Sequence, residues 1–119
     1  LFRSTSAEIS HPIKLTILNT ADSTPENKHQ IIINKDLVTY PLSLKKWHHG
    51  DAMHPTGMKG SKKISQLFKD KKLSLLDKEK IWLLADAKDR IIWVIGLRQD
   101  RRFTADKTAT NRLKISFIS

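Results

Sequence analysis

The chain has 119 residues, with 22 Lys+Arg against 12 Asp+Glu and a formal net charge of +10. That length fits one domain, and 39% apolar with 29% charged residues excludes wholesale disorder. The absence of cysteine excludes disulfides, Cys-based zinc sites and thiol catalysis, and the longest apolar runs, 81–85 and 91–95, fall far short of a bilayer span.

Residues 1–10 lack the apolar segment of a signal peptide, and an opening Leu1 is expected of a piece cut from a longer polypeptide. Residues 13–18 alternate apolar and polar with β-branched side chains, which predicts a half-buried strand. Residues 19–27 hold Asp, Ser, Thr, Pro and Asn and read as a loop. Strands are expected at 29–33 and at 42–47, the latter with Leu42 and Leu44 on one face and Pro41 at its start. Residues 50–60 hold three of the four glycines and Pro55, so they read as a loop. A helix follows, with Ser61 as its expected cap and Ile64, Leu67 and Phe68 as one apolar stripe. Residues 74–80 read as a second short helix, capped by Ser74 with Asp77 three residues on.

Two strong strands, 81–85 and 90–95, flank the polar turn 86–89 and predict a hairpin. Strands at 102–105 and 113–118 complete the expectation. The predicted fold class is α+β: an antiparallel sheet with one or two helices inserted mid-chain. One domain is expected over 1–119, with 1–27 either part of it or a preceding segment.

A surplus of ten positive charges predicts an anionic partner, nucleic acid first. The charge is clustered: between 59 and 80 there are eight lysines and three acids. Further clusters are Lys45, Lys46, His48 and His49, and Arg98, Arg101 and Arg102. Residues 4–12 and 20–27 are nearly free of positive charge, so the amino-terminal third is not the expected binding face.

The segment from Gly50 through Gly57, Lys59 and Gly60 to Lys62 and Lys63 runs a glycine loop into a helix start. Lysines there oppose the helix dipole, and a bound anion would remove the conflict; glycines let a phosphate approach the backbone. The plainer reading is that Lys62 and Lys63 are solvated and the glycines serve turns. The stretch is not a P-loop, and Gly57-Met-Lys-Gly60 matches the G-x-x-G of KH domains, a weak signal alone. His48, His49, Asp51 and His54 fit no standard metal spacing and read as a polar loop. Trp47, Trp82 and Trp93 fall at expected strand positions and read as core or sheet surface rather than as base-stacking platforms.

Three blocks carry a resemblance: Leu44-Lys-Lys-Trp47-x-x-Gly50-Asp51; then Pro55-x-Gly57-Met58-x-Gly60-x-Lys62-Lys63-Ile64-Ser65-x-x-Phe68-x-Asp70; then Ile92-Trp93-Val94-x-Gly96-x-Arg98-x-Asp100-x-Arg102-Phe103. Over about 28–118 the chain resembles the carboxy-terminal domain of bacterial tRNA(Ile)-lysidine synthetase. The resemblance implies an ATP-dependent ligase that joins lysine to the wobble cytidine of the isoleucine tRNA with a CAU anticodon. It places catalysis, ATP and magnesium in a separate PP-loop domain marked by S-G-G-x-D-S, which this sequence lacks. No cofactor is expected in this fragment. The implied partners are that tRNA and the catalytic domain of the same polypeptide, in the cytoplasm and without a membrane.

Carried over by position, the glycine-lysine loop supplies Gly57, Gly60, Lys62 and Lys63. The chain departs from the family at Ala52 and at Lys45 or Lys46, where arginine is common, and lacks the prolines usual near Leu73 and Trp82. The leading expectation is a tRNA-docking module whose phosphate contacts are Lys45, Lys46, Gly57, Lys59, Gly60, Lys62, Lys63, Arg98 and Arg102. Its rivals are an interdomain brace and a small metal-dependent hydrolase built on His48, His49, Asp51 and His54.

Overall fold

The computed structural model describes residues 7–9, 14–22, 25, 27, 29–106 and 108–118. The chain opens with β1 (Ala7–Ile9), β2 (Lys14–Thr20) and β3 (Gln30–Asn34), followed by β4 (Ser43–Lys45). Two-residue strands β5 (Ala52–Met53) and β6 (Lys62–Lys63) lead into helices α1 (Ile64–Asp70) and α2 (Leu75–Lys80). β7 (Leu83–Ala85), β8 (Ile91–Val94), β9 (Arg98–Gln99) and β10 (Arg112–Ile118) complete it.

The first sheet has the order β1-β2-β10-β3, all antiparallel. Leu113 lies opposite Ile33, and Ile115 lies opposite both Ile31 and Ile17. This register puts Leu15, Ile17, Ile31, Ile33, Leu113 and Ile115 on one buried face, as the period of two requires.

The second sheet, β4-β7-β8-β9, packs against that face through Leu84, Ile92 and Trp93. Its other face, with Leu83, Ile91 and Val94, meets Met53 and the α1 stripe of Ile64, Leu67 and Phe68. A sheet covered on both sides needs apolar residues at every position. That is why 81–85 and 91–95 read as continuous runs rather than alternations. The layers are sheet, sheet and helix, the expected α+β class.

α2 is held by local chemistry instead of burial. Ser74 accepts from the Asp77 N–H and the Asp77 carboxylate accepts from the Ser74 N–H. No residue of α2 is buried, and Leu75 and Leu76 are 73% and 63% exposed.

Several boundaries differ from expectation. α1 begins at Ile64, with Lys63 and not Ser61 at its cap position and no side-chain cap. Lys62 and Lys63 are held extended because they pair with Met53 and Ala52, so the expected loop 50–60 contains a strand. Residues 102–105 are not a strand. A 3-10 turn spans Arg101–Phe103 and Thr104 makes a single bridge to Ile33. The Asp100 side chain accepts from the Arg102 N–H at 2.8 Å and curls the backbone there. β4 ends at Lys45 and β7 begins at Leu83, so Trp47 and Trp82 lie outside the strands. Ile13 and Lys28, the expected starts of the first strand and of the family-like region, lie outside the described residues.

The β7–β8 hairpin closes on Asp86, whose side chain has no exposure. Its carboxylate accepts from the N–H groups of Thr39, Lys88 and Arg90 and from the Arg90 guanidinium. Burial pushes the Asp86 carboxyl up, but the Arg90 guanidinium and the N–H groups of Arg90 and Thr39 outweigh it and hold the group below its ordinary 3.8. A carboxyl that titrates lower when folded stabilises the fold fully at neutral pH, and this contribution fades as pH falls through the folded value. Asp86→Ala is therefore expected to cost about 3 kcal/mol at pH 7, because it leaves several donors unpaired. The gap to the unmodified chain should narrow below about pH 4, as read by denaturant unfolding at both pH values.

Candidate nucleic-acid interface

The glycine loop is pinned along its length to β9 and the turn after it. The Thr56 N–H donates to the Gln99 carbonyl at 3.0 Å, and the Arg101 N–H donates to the His54 carbonyl at 2.7 Å. The Arg98 guanidinium donates to the Thr56 carbonyl at 3.1 Å, and that of Arg101 to the Gly60 carbonyl at 3.0 Å. Asp100, with no exposure, accepts from the His54 N–H at 2.9 Å. It also takes the Arg102 N–H and guanidinium at 2.8 to 3.1 Å. Gly57 and Gly60 sit at φ +77° and +73°, a backbone that a side chain would strain, and nothing crowds the space above them.

The expected cationic residues divide into two groups. Lys45 lies between Asp51 at 3.5 Å and Asp89 at 3.1 Å. Lys46 donates to the Glu79 carbonyl and sits 4.0 Å above the Trp82 ring. Lys62 pairs with Asp70; this contact, ahead of one from Gln66, holds the Asp70 carboxyl below its ordinary value. Arg98 and Arg102 are turned onto their own chain, as above. Lys59 and Lys63 are exposed and have no partner among the described residues.

The sequence reading passed over four cations in choosing contacts. Arg101 is exposed beside the loop and has donors left after its bond to Gly60. Lys69, Lys71 and Lys72, at the end of α1, are exposed and have no side-chain partner among the described residues. Their place also suits the helix, since cations favour a helix carboxy-terminus. Their signal was the lysine run itself, which did not say which lysines the fold would neutralise. With Lys59 and Lys63 they span a helix of seven residues, about 10 Å long. These five exposed lysines fall between residues 59 and 72.

The expected helix-start contact takes a different form. Lys62 and Lys63 precede α1 as a strand, and the first N–H of the helix, from Ile64, is already bonded to the Asp51 carbonyl at 2.9 Å. His48, His49, Asp51 and His54 are not gathered, and no set of three or more potential metal ligands occurs among the described residues. His48 Nδ1 lies 4.0 Å from Asp51, whereas His54 Nδ1 lies 3.9 Å from Asp100. Trp93 is buried, Trp82 lies under Lys46, and Trp47 is half-buried against Phe68 and His49.

The family model described as "TilS substrate C-terminal domain" matches residues 42–115. A tRNA(Ile)-lysidine synthase of Parabacteroides distasonis is 41% identical over 93 residues, covering 78% of this chain and 21% of that protein. The tRNA(Ile)-lysidine synthase of Bacteroides thetaiotaomicron is 39% identical over 84 residues, covering 71% of this chain and 20% of that protein. The chain thus spans about a fifth of the length of the curated relatives it matches.

Among solved structures, a TilS C-terminal domain superposes with a TM-score of 0.82 at 21% identity, over 96% of this chain and 91% of that one. An N-terminal fragment of the phenylalanyl-tRNA synthetase β-subunit from Pyrococcus horikoshii superposes with a TM-score of 0.61 at 17% identity, over 74% of this chain and 27% of that one. At these identities the two structures speak to the fold alone. The family match over most of the chain, on the fold of a TilS C-terminal domain, makes this chain a member of the TilS substrate C-terminal domain family.

Proposed function

We propose that this chain is the tRNA-docking carboxy-terminal module of a tRNA(Ile)-lysidine synthase. In this reading the parent enzyme uses ATP and magnesium, in a catalytic domain outside this chain, to join lysine to the wobble cytidine of CAU-anticodon isoleucine tRNA in the cytoplasm. The module contributes phosphate contacts that position the RNA without reading bases in a stem. The observation that carries this reading is the set of exposed cations without a side-chain partner among the described residues, in the pinned glycine loop and the segment after it: Lys59, Lys63, Lys69, Lys71 and Lys72. Gly57 and Gly60 give a phosphate access to the backbone, and Arg101 offers its remaining donors. Lys45, Lys46, Lys62, Arg98 and Arg102 support the surface by holding it in shape, and Lys62 keeps a share of the contact.

One observation favours a bracing role as a second reading: Leu75 and Leu76 stand 73% and 63% exposed on α2, as residues awaiting a partner surface would. No described helix is long and apolar enough to cross a membrane.

Titration of the chain with CAU-anticodon isoleucine tRNA and with a methionine tRNA, at two salt concentrations, separates the readings. Salt-sensitive binding is expected, and Lys63→Ala should weaken it more than Lys62→Ala, because Asp70 already neutralises Lys62. No binding at low salt would leave the brace.

A further inference from the structure

A cleft of about 330 Å³ opens between the segment after β4 and α2, lined by Lys46, Trp47, Lys78 and Glu79. We infer that this cleft receives one unstacked nucleotide of the bound RNA, its base against Trp47 and its phosphate between Lys46 and Lys78. The inference rests on the RNA-docking reading and goes beyond it, since that reading concerns backbone contacts along a stem.

The chemistry of the lining carries it. The cleft is as large as the smaller of known small-molecule sites, about 300 to 1,000 Å³. The Trp47 indole is half-buried and its orientation is set by two edge contacts. Phe68 meets it at 5.2 Å and 89°, and His49 at 5.4 Å and 67°. A ring fixed before binding stacks on a base at little entropic cost. Lys46 is also fixed in place, by the Trp82 ring and the Glu79 carbonyl. Lys78 has no partner among the described residues and lines the cleft together with Lys46, so two positively charged residues border one space.

The Glu79 carboxylate is exposed, and among the described residues no cation pairs with it. Phe68 belongs to α1, so Trp47 packs against the helix that carries Lys69.

The test compares a short blunt RNA duplex with the same duplex carrying a single-stranded overhang of adenosines. The adenosine overhang is expected to tighten binding about tenfold over the blunt duplex and to quench tryptophan fluorescence. Trp47→Leu should abolish the advantage of the overhang and leave blunt-duplex binding unchanged. Should Trp47→Leu fail to fold, Lys78→Glu on the exposed α2 tests the same cleft and should likewise remove the overhang's advantage. Equal binding of blunt and tailed duplexes would overturn the nucleotide cleft and leave RNA docking standing. Failure of every duplex to bind would overturn the docking reading and the cleft with it.

Discussion

Replacing Asp100 by alanine lowers the unfolding free energy by about 3 to 5 kcal/mol, the cost of removing one partner from a buried charged network. In a chain of 119 residues that shifts the thermal midpoint down by about 12 to 20 °C. The reason is the number of donors that converge on one carboxylate with no exposure: the His54 and Arg102 N–H groups and the Arg102 guanidinium. The guanidinium is 37% exposed and can turn to water, so its share of the loss is the smaller one. The two N–H groups cannot turn, and each is left without an acceptor. Asp100→Asn keeps the shape and one oxygen, and should fall between the two. Because Pro55 bridges to Asp100 and the Arg101 N–H holds the His54 carbonyl, the glycine loop should lose its order along with the carboxylate. Scanning calorimetry reads the midpoint, and amide hydrogen exchange at 54–60 reads the loop. A midpoint shift under about 4 °C would remove Asp100 from this role.

The second large effect concerns binding and leaves the fold alone. Lys59, Lys63, Lys69 and Lys71, changed together to alanine, are expected to weaken tRNA binding about a hundredfold near 0.1 M salt. None of the four has a partner among the described residues, so no contact within the chain is lost. Lys69 and Lys71 contribute a few tenths of a kcal/mol each to the end of α1 through the helix dipole. Circular dichroism and the thermal midpoint should therefore stay near those of the unmodified chain. A variant that binds tRNA as well as the unmodified chain would move the interface elsewhere.

Elements governed by nearest neighbours were legible in the sequence. The alternation of β2 and β10 and the run of Ile31, Ile32 and Ile33 pointed to strands because the pleat has a period of two. The α2 capping box was legible because Ser74 and Asp77 bond each other. Elements set by distant partners were not. β5 and β6 are two residues each and exist only as a pair, so nothing local marks them. That pairing also moved the cap position of α1 from Ser61 to Lys63.

The candidate site divides along the same line. Its charge and its glycines were plain in the sequence, and the family match agrees with the resemblance those residues carry. Which cations remain free was hidden. Arg98 looks like a phosphate ligand in sequence, yet it donates to the Thr56 carbonyl, 42 residues away. Lys62 and Lys63 are adjacent and chemically alike, yet only Lys62 meets an acid, one that α1 brings round at Asp70.

In the proposed docking role, the module holds tRNA by its phosphates through the lysines in and around α1. The most direct measurement is the salt dependence of CAU-anticodon isoleucine tRNA binding, for the unmodified chain and for the four-alanine variant. Each lost phosphate contact removes about 0.7 to 0.9 from the slope of log affinity against log salt, so the variant's slope should be shallower by about three. Parallel lines for the two proteins would contradict the account.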